Sequence, residues 1–318
     1  MSARRTSLLR MIEALPGPRG RLFGVDAMHE AERTISGWVE EAGWAVERQA
    51  YRAADVIRSA QGREPGRIWE KVEGANLVAE RRGALHPEQV VVLMAHYDTV
   101  ATTIGANDNA ASVAAVVELA RVLADQVLDR TVVLAFTDGE ETGLLGSHHL
   151  AAELDDRDVV LVVNYDAMAY TDPTEGIQVS PDLPDPGAMA QLAEIEAAGA
   201  HGTFSMILHN GPAAEASHAI AAGLRHRRGR LACVEVAAAE DEIAAATIGQ
   251  DALLRSDHVP FWRRGIAALH VTDTAEFRSP HYHKWTDTPE TVDLDVLEAI
   301  IDATIPVVEE TAGVRSVA

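Results

Sequence analysis

Short apolar, β-branched runs recur along this chain with helix-forming stretches between them. The runs are NLVAE (76–80), VVVLMAH (90–96), TVVLAFTD (131–138), VVLVVNYD (159–166), LACVEVA (231–237) and IAALHVTD (266–273). They are apolar at successive rather than alternate positions, the pattern of strands covered on both faces. Between them, Asp108–Val127 opens on a good capping residue and is filled with helix formers. Gly143–Leu154, Gly187–Ala198, Pro212–Arg228 and Val292–Thr311 read as further helices, the last capped by Thr291 or Asp293. The first fifty residues also read as helical, with apolar residues at helical spacing from Met28 to Val46. Strand–helix alternation predicts an α/β fold: one domain over residues 1–318, its central sheet mixed but mostly parallel, with helices on both faces. Residues 1–50 would be the N-terminal helical part of that domain, and the Pro/Gly/Asp-rich stretches 54–75 and 171–187 surface loops.

Composition narrows the chemistry. Lys and Arg number 27 against 49 Asp and Glu, a net charge of −22 with the acids spread along the chain. Such a surface repels nucleic acid and anionic lipid. No apolar run reaches the length of a membrane span, and no signal-peptide pattern opens the sequence, so the expectation is a soluble, cytoplasmic protein. The single cysteine, Cys233, excludes an intramolecular disulfide and a Cys-rich zinc site. Its setting in LACVEV reads as a buried, inert thiol. Any metal must therefore be held by His and carboxylate groups.

Several runs close on such groups. His96 and Asp98 follow VVVLMA as H-Y-D, Asp108 lies in GANDNAAS at a helix start, Glu140 and Glu141 stand in DGEETGLLGS, Asp166 ends VVLVVNYD, and His281 and His283 lie in SPHYHKWTDTPE. Singly, each reads as a cap or a chance pair. Together they can converge on one sheet edge, where α/β folds place their chemistry. Carboxylates gathered in one cleft repel unless cations lie among them. Two divalent ions sharing a bridging carboxylate solve that problem, with one glutamate on a metal and its neighbour free to take a proton. No dinucleotide fingerprint, phosphate loop, H-E-x-x-H or nucleophile elbow competes.

HYD, GANDN, DGEETGLLGS, NYDAM, RSDHVPFWRRGIAAL and YHKWTDTPE, in that order between about Gly74 and Val292, resemble the dinuclear zinc aminopeptidases, the family of the bacterial aminopeptidases and glutamate carboxypeptidase. The resemblance implies a zinc-peptidase-like three-layer sandwich and two zinc ions. Asp108 would bridge them, His96 and Asp166 would complete one site, and Glu141 and His283 the other. Glu140 would be the general base and later acid, Asp98 would orient His96, and Tyr282 would bind the developing oxyanion. The same N and O donors would accept Co, Mn or Fe. The sequence departs from the family's usual pattern at Asn107–Ser112, which lacks a glycine after the bridging position, and at NYDAMA.

The spacing to Asp287-Thr288 that the resemblance implies selects His283 over His281, which becomes a supporting or rim residue. His258 reads as a loop-ordering partner of Asp257, His270 as a core histidine, one of His148 and His149 as solvent-facing, and His201, His209, His218 and His226 as surface residues; the run Ala239–Glu242 reads as a solvated turn. The expected activity is amide hydrolysis that releases N-terminal residues from peptides through a metal-activated water. A deacylase or dipeptidase acting on a small amide, and a catalytically silent binding homologue, are the alternatives. The expected partner is a peptide or small amide, with no nucleic acid and no membrane; oligomeric state is open.

Overall fold

The computed structural model describes residues 2–15, 17–57, 68–181, 183–239 and 254–315. Strands β1 (Val46–Ile57), β2 (Ile68–Arg81), β3 (His86–His96), β4 (Arg130–Thr137), β5 (Asp158–Tyr165), β6 (Ser205–Asn210), β7 (Cys233–Ala238) and β8 (Ala268–Thr272) make one sheet in the order β1-β2-β4-β3-β5-β8-β6-β7. The pairs β3/β4, β3/β5, β5/β8 and β6/β7 are parallel. The pairs β1/β2, β2/β4 and β6/β8 are antiparallel. The expected mixed, mostly parallel sheet is therefore present.

Helices α1 (Ala3–Ala14), α2 (Val25–Glu41), α3 (Ala111–Leu123), α6 (Ala214–Arg228) and α8 (Leu294–Ala312) cover one face. Helices α4 (Leu145–Glu153), α5 (Pro186–Ala197) and the short α7 (Val259–Trp262) cover the other. The alternation within β3 makes this division explicit: Val91, Leu93 and Ala95 enter the first core, Val90, Val92 and Met94 the second. Each of these Val, Leu and Met side chains, fully buried, contributes about 1.5–3 kcal/mol relative to exposure. Asp293 caps α8 by accepting from the N–H groups of Asp295 and Val296.

Three expectations need correction. The helical pattern does not continue to Val46: α2 ends at Glu41 and Gly43 takes a left-handed φ of 81°, which turns the chain into β1. Trp44 stays buried and donates to the Ala120 carbonyl at 3.0 Å, so an apolar anchor in the connection extended the apparent helix. The stretch 54–75 is not simply a surface loop, because β1 runs to Ile57 and β2 begins at Ile68; residues 58–67 lie outside the described residues. Strand β6, SMILHN, went unread. Its residues are all buried, but only three of them, Met206–Leu208, are apolar.

Candidate metal centre

Strands β4, β3, β5 and β8 are successive neighbours in the sheet, and the loops leaving their C-terminal ends carry the candidate residues. His96 is the last residue of β3. Asp108 lies in the tight turn Ala106–Ala110 that opens α3. Glu140 and Glu141 follow β4, Asp166 follows β5, and His283 lies in the loop beyond β8 with a left-handed φ of 57°.

The five predicted ligands converge. One Asp108 oxygen, Oδ1, lies 3.2 Å from His96 Nε2, and the other, Oδ2, lies 3.2 Å from His283 Nε2. His96 Nε2 is 3.3 Å from Asp166 Oδ1, and His283 Nε2 is 3.2 Å from Glu141 Oε1. Two triads result, His96–Asp108–Asp166 and Asp108–Glu141–His283, with Asp108 common to both. Tetrahedral ligands held about 2.0–2.1 Å from zinc stand about 3.3 Å apart, so the spacing fits. Glu141 Oε1 is buried, and its approach to His283 Nε2 lacks hydrogen-bond geometry, a cost that a cation would relieve. The donor set, imidazole and carboxylate, suits zinc.

Electrostatics describe the same need for positive charge. Burial works against a charged His96, yet Asp166, Glu140 and Asp108 raise its pKa well above the usual value. Burial likewise opposes charge on His283, and Glu141 and Asp108 lift it to about 10. Glu140 is raised well above the ordinary carboxylate range, first by burial and then by Asp166, Glu141 and Asp257, with His96 pulling the other way. Tyr282 is raised by burial and by the surrounding carboxylates, so it stays a neutral phenol. Its ring stacks on that of His283 at 3.8 Å between centroids.

Asp98 contacts His96, though not chiefly through its carboxylate. His96 Nδ1 donates to the Asp98 main-chain carbonyl at 3.1 Å, while the nearer carboxylate oxygen stands 3.5 Å away. That carboxylate instead accepts the N–H groups of Glu140 at 3.1 Å and Glu141 at 3.3 Å. It thus ties the β3 loop to the β4 loop. His281 turns away from the ligands, its Nδ1 3.0 Å from Thr286 Oγ1.

Other expectations change. His209, expected at the surface, is buried because it lies within β6. His201 is half-buried, and His218 and His226 are exposed. His148 and His149 are both half-buried on α4. His258 is buried and stacks on His270 at 4.8 Å, with Trp262 edge-on at 4.4 Å. Glu240–Glu242 of the acidic run lie outside the described residues.

Sequence reasoning missed a supporting layer. Asp287 accepts the N–H groups of Asn107 and Asp108. Ser256 Oγ donates to Asp166 Oδ2 at 2.6 Å and accepts from Asn164 Nδ2 at 2.8 Å. The Asn164 amide also reaches His270 Nδ1 at 3.1 Å. Asp257 accepts from the Thr137 hydroxyl. Buried Arg19 donates to the carbonyls of Tyr97 (2.8 Å), Leu15 (3.3 Å), Ile104 (3.0 Å) and Gly105 (3.3 Å). The polar S-D-H run before an apolar segment was the available signal for Ser256 and Asp257; Arg19 carried none.

A cleft leads from the triads. Ala167, Pro181, Leu183, Met206, Leu208 and Phe277 give it apolar walls, and Ser256, His270, Thr272 and the Arg255–Glu276 pair add polar groups.

The description "Peptidase family M28" matches residues 76–206 and 204–308. A probable zinc metalloprotease of Leptosphaeria maculans is 39% identical over 111 residues, 32% of this chain and 26% of that protein. Leucine aminopeptidase 2 of Trichophyton equinum is 38% identical over 94 residues, 29% of this chain and 19% of that one. The chain thus spans less than a third of these curated relatives. Among solved structures, a zinc aminopeptidase from Bacillus subtilis superposes with a TM-score of 0.68 at 15% identity, covering 98% of this chain and 95% of its own. A glutaminyl cyclase from Porphyromonas gingivalis gives 0.64 at 19% identity, covering 97% of each chain. At such identities the likeness is one of fold. No helix among the described residues is long and apolar enough to cross a membrane.

Proposed function

The chain belongs to peptidase family M28, and from that premise we propose that it is an aminopeptidase holding two zinc ions. The observation that carries this reading is the Asp108 carboxylate, which offers one oxygen toward His96 and the other toward His283, each at 3.2 Å. A carboxylate set between two imidazoles, each backed by a further acid, is what a shared bridging ligand requires. His96, Asp108 and Asp166 would hold one ion, and Asp108, Glu141 and His283 the other. Zinc bound there would act as a Lewis acid toward the scissile carbonyl and make water more acidic.

The remaining roles fall to the protein. Glu140 is no member of either triad, lies beside both on the cleft wall and has a raised pKa. It takes the proton of the attacking water and returns it to the leaving amine. Its backbone is fixed by Asp98, which limits how far the carboxylate can drift. Tyr282, a neutral phenol on the cleft wall, donates to the oxygen that gains charge as the carbonyl becomes tetrahedral. The apolar walls take the side chain of the N-terminal residue and exclude water. A related leucine aminopeptidase and a zinc aminopeptidase of the same fold support this reading.

The test is a panel of aminoacyl anilides and free-amine peptides against N-acylated amides, including an N-terminal glutamine peptide, with zinc supplied at defined concentration. Release of the N-terminal residue from free-amine substrates is expected. Cleavage confined to N-acylated amides, or cyclisation of the glutamine peptide without hydrolysis, would replace the aminopeptidase reading. Elemental analysis should return two zinc ions per chain.

A further inference from the structure

We propose that His270 is a specificity-determining residue: fixed as the neutral Nε2–H tautomer, it donates to an uncharged acceptor on the side chain of the bound N-terminal residue, a carboxamide above all. The inference rests on the aminopeptidase reading for the identity of the ligand, but not for the tautomer.

The tautomer follows from a chain of hydrogen bonds whose direction is set at one end. Asp166 is a carboxylate and can only accept, so Ser256, 2.6 Å from its Oδ2, must donate. The Ser256 oxygen then has lone pairs to offer, and the Asn164 amide nitrogen fills one at 2.8 Å. That fixes which end of the Asn164 amide faces this network. The nitrogen carries a second hydrogen, which meets His270 Nδ1 at 3.1 Å. Nδ1 must therefore accept, and the ring proton sits on Nε2. Burial also lowers the His270 pKa to about 4, keeping the ring neutral. His258, stacked parallel at 4.8 Å, holds the ring in plane.

The sheet explains where the donor lies. Asn164 pairs with His270 across β5 and β8, and His270 with Leu208 across β8 and β6. Two residues further toward the site, Thr272 of β8 pairs with Met206 of β6. Side chains two apart on a strand share a face, so His270, Leu208, Thr272 and Met206 form one floor, and all four line the cleft. Nδ1 is the His270 ring nitrogen that the hydrogen-bond network occupies, which leaves Nε2–H for a ligand. The shaft of an entering side chain meets Met206, Leu208 and Leu183, and its end meets a donor. A carboxylate end would seek a cation, but the Arg255 guanidinium on the cleft wall is already paired with Glu276. An uncharged oxygen fits the floor better.

The titration uses the zinc-loaded Glu140→Gln protein, which keeps the site but turns over the amides slowly, labelled with 15N-histidine, the His270 signals being assigned by their loss on further substitution His270→Phe. The Nε2–H tautomer is expected, with a shift of its Nε2 resonance when asparagine amide is added and a smaller one with the isosteric leucine amide. In kinetics, His270→Phe keeps the ring and loses the donor. It should lower the ratio of kcat/KM for asparaginyl over leucyl anilide by about three- to tenfold, the worth of one neutral hydrogen bond. His270→Gln, which keeps a donor, should restore part of that ratio. An Nδ1–H tautomer, equal shifts with the two amides, or equal losses on both anilides would overturn the proposal. Absence of any turnover would count against the aminopeptidase reading instead, since the tautomer and the amide titration are read without catalysis.

Discussion

Asp287 grips the backbone that carries Asp108: its carboxylate accepts the N–H of Asn107 at 2.8 Å and the N–H of Asp108 itself at 3.1 Å. The two residues lie far apart in sequence, Asp108 in the turn that opens α3 and Asp287 in the loop beyond β8. Asp287 also sits four residues after His283, so one loop supplies a ligand and fixes another.

Asp287→Ala should therefore weaken zinc binding without changing the fold. Loss of a group that orients a ligand typically costs about 10- to 100-fold in metal affinity. Competition against a chromophoric chelator measures this, with circular dichroism as the control for folding. Unchanged affinity would remove Asp287 from the site.

Glu140→Gln should separate catalysis from binding. The amide keeps the shape and hydrogen-bond reach of the side chain but cannot carry the proton. A kcat lower by roughly 10²–10⁴-fold is expected, with zinc content equal to the unaltered protein. Parallel loss of zinc would mean that Glu140 is a ligand.

Asp108→Ala removes the group common to both triads. Elemental analysis after gel filtration should find less than half the zinc of the unaltered chain, and activity should fall with it. Retention of the full zinc complement would contradict a bridging role.

Arg19→Met tests the packing beneath the site. Burial pulls the Arg19 pKa down to about 10, which leaves the side chain charged at neutral pH. Methionine fills part of its volume but strands the carbonyl acceptors of Leu15, Tyr97 and Ile104. Orphaning buried acceptors costs about 1–3 kcal/mol each, so a loss of at least about 3 kcal/mol is expected in urea unfolding. A change below 1 kcal/mol, on the same scale, would show that the loops hold without it.

Cys233 should resist alkylation. Burial pushes its thiol pKa up, and the thiolate is the reactive form. Iodoacetamide at pH 8 should leave the native protein unlabelled and modify it fully in denaturant. Native labelling at the rate of a free thiol would place Cys233 at the surface.

Much of the site was legible because its parts end strands. A run that is apolar on both faces and stops at His96, Asp98 or Asp166 marks the C-terminal edge of a buried strand, and a parallel sheet brings such edges together. His283 was chosen over His281 by the spacing that the family resemblance implies; in the structure His283 reaches Asp108 and Glu141, while His281 turns to Thr286. Strands β1 and β6 were not legible. β1 follows closely on a helix whose apolar pattern runs into it, and β6 has only three apolar residues, Met206–Leu208, set among polar ones.

From sequence came the alternation of strands and helices and the residues that can meet at the strand ends. Those features repeat locally, and period and residue type alone specify them. Tertiary structure decided the rest: that Asp98 grips Glu140 and Glu141 through their backbone, that Asp287 holds the Asp108 turn, and that Met206, Leu208 and His270 floor the cleft. These contacts join segments 42 to 180 residues apart, and a hydrogen bond's partner depends on position and direction in space, which no local pattern encodes.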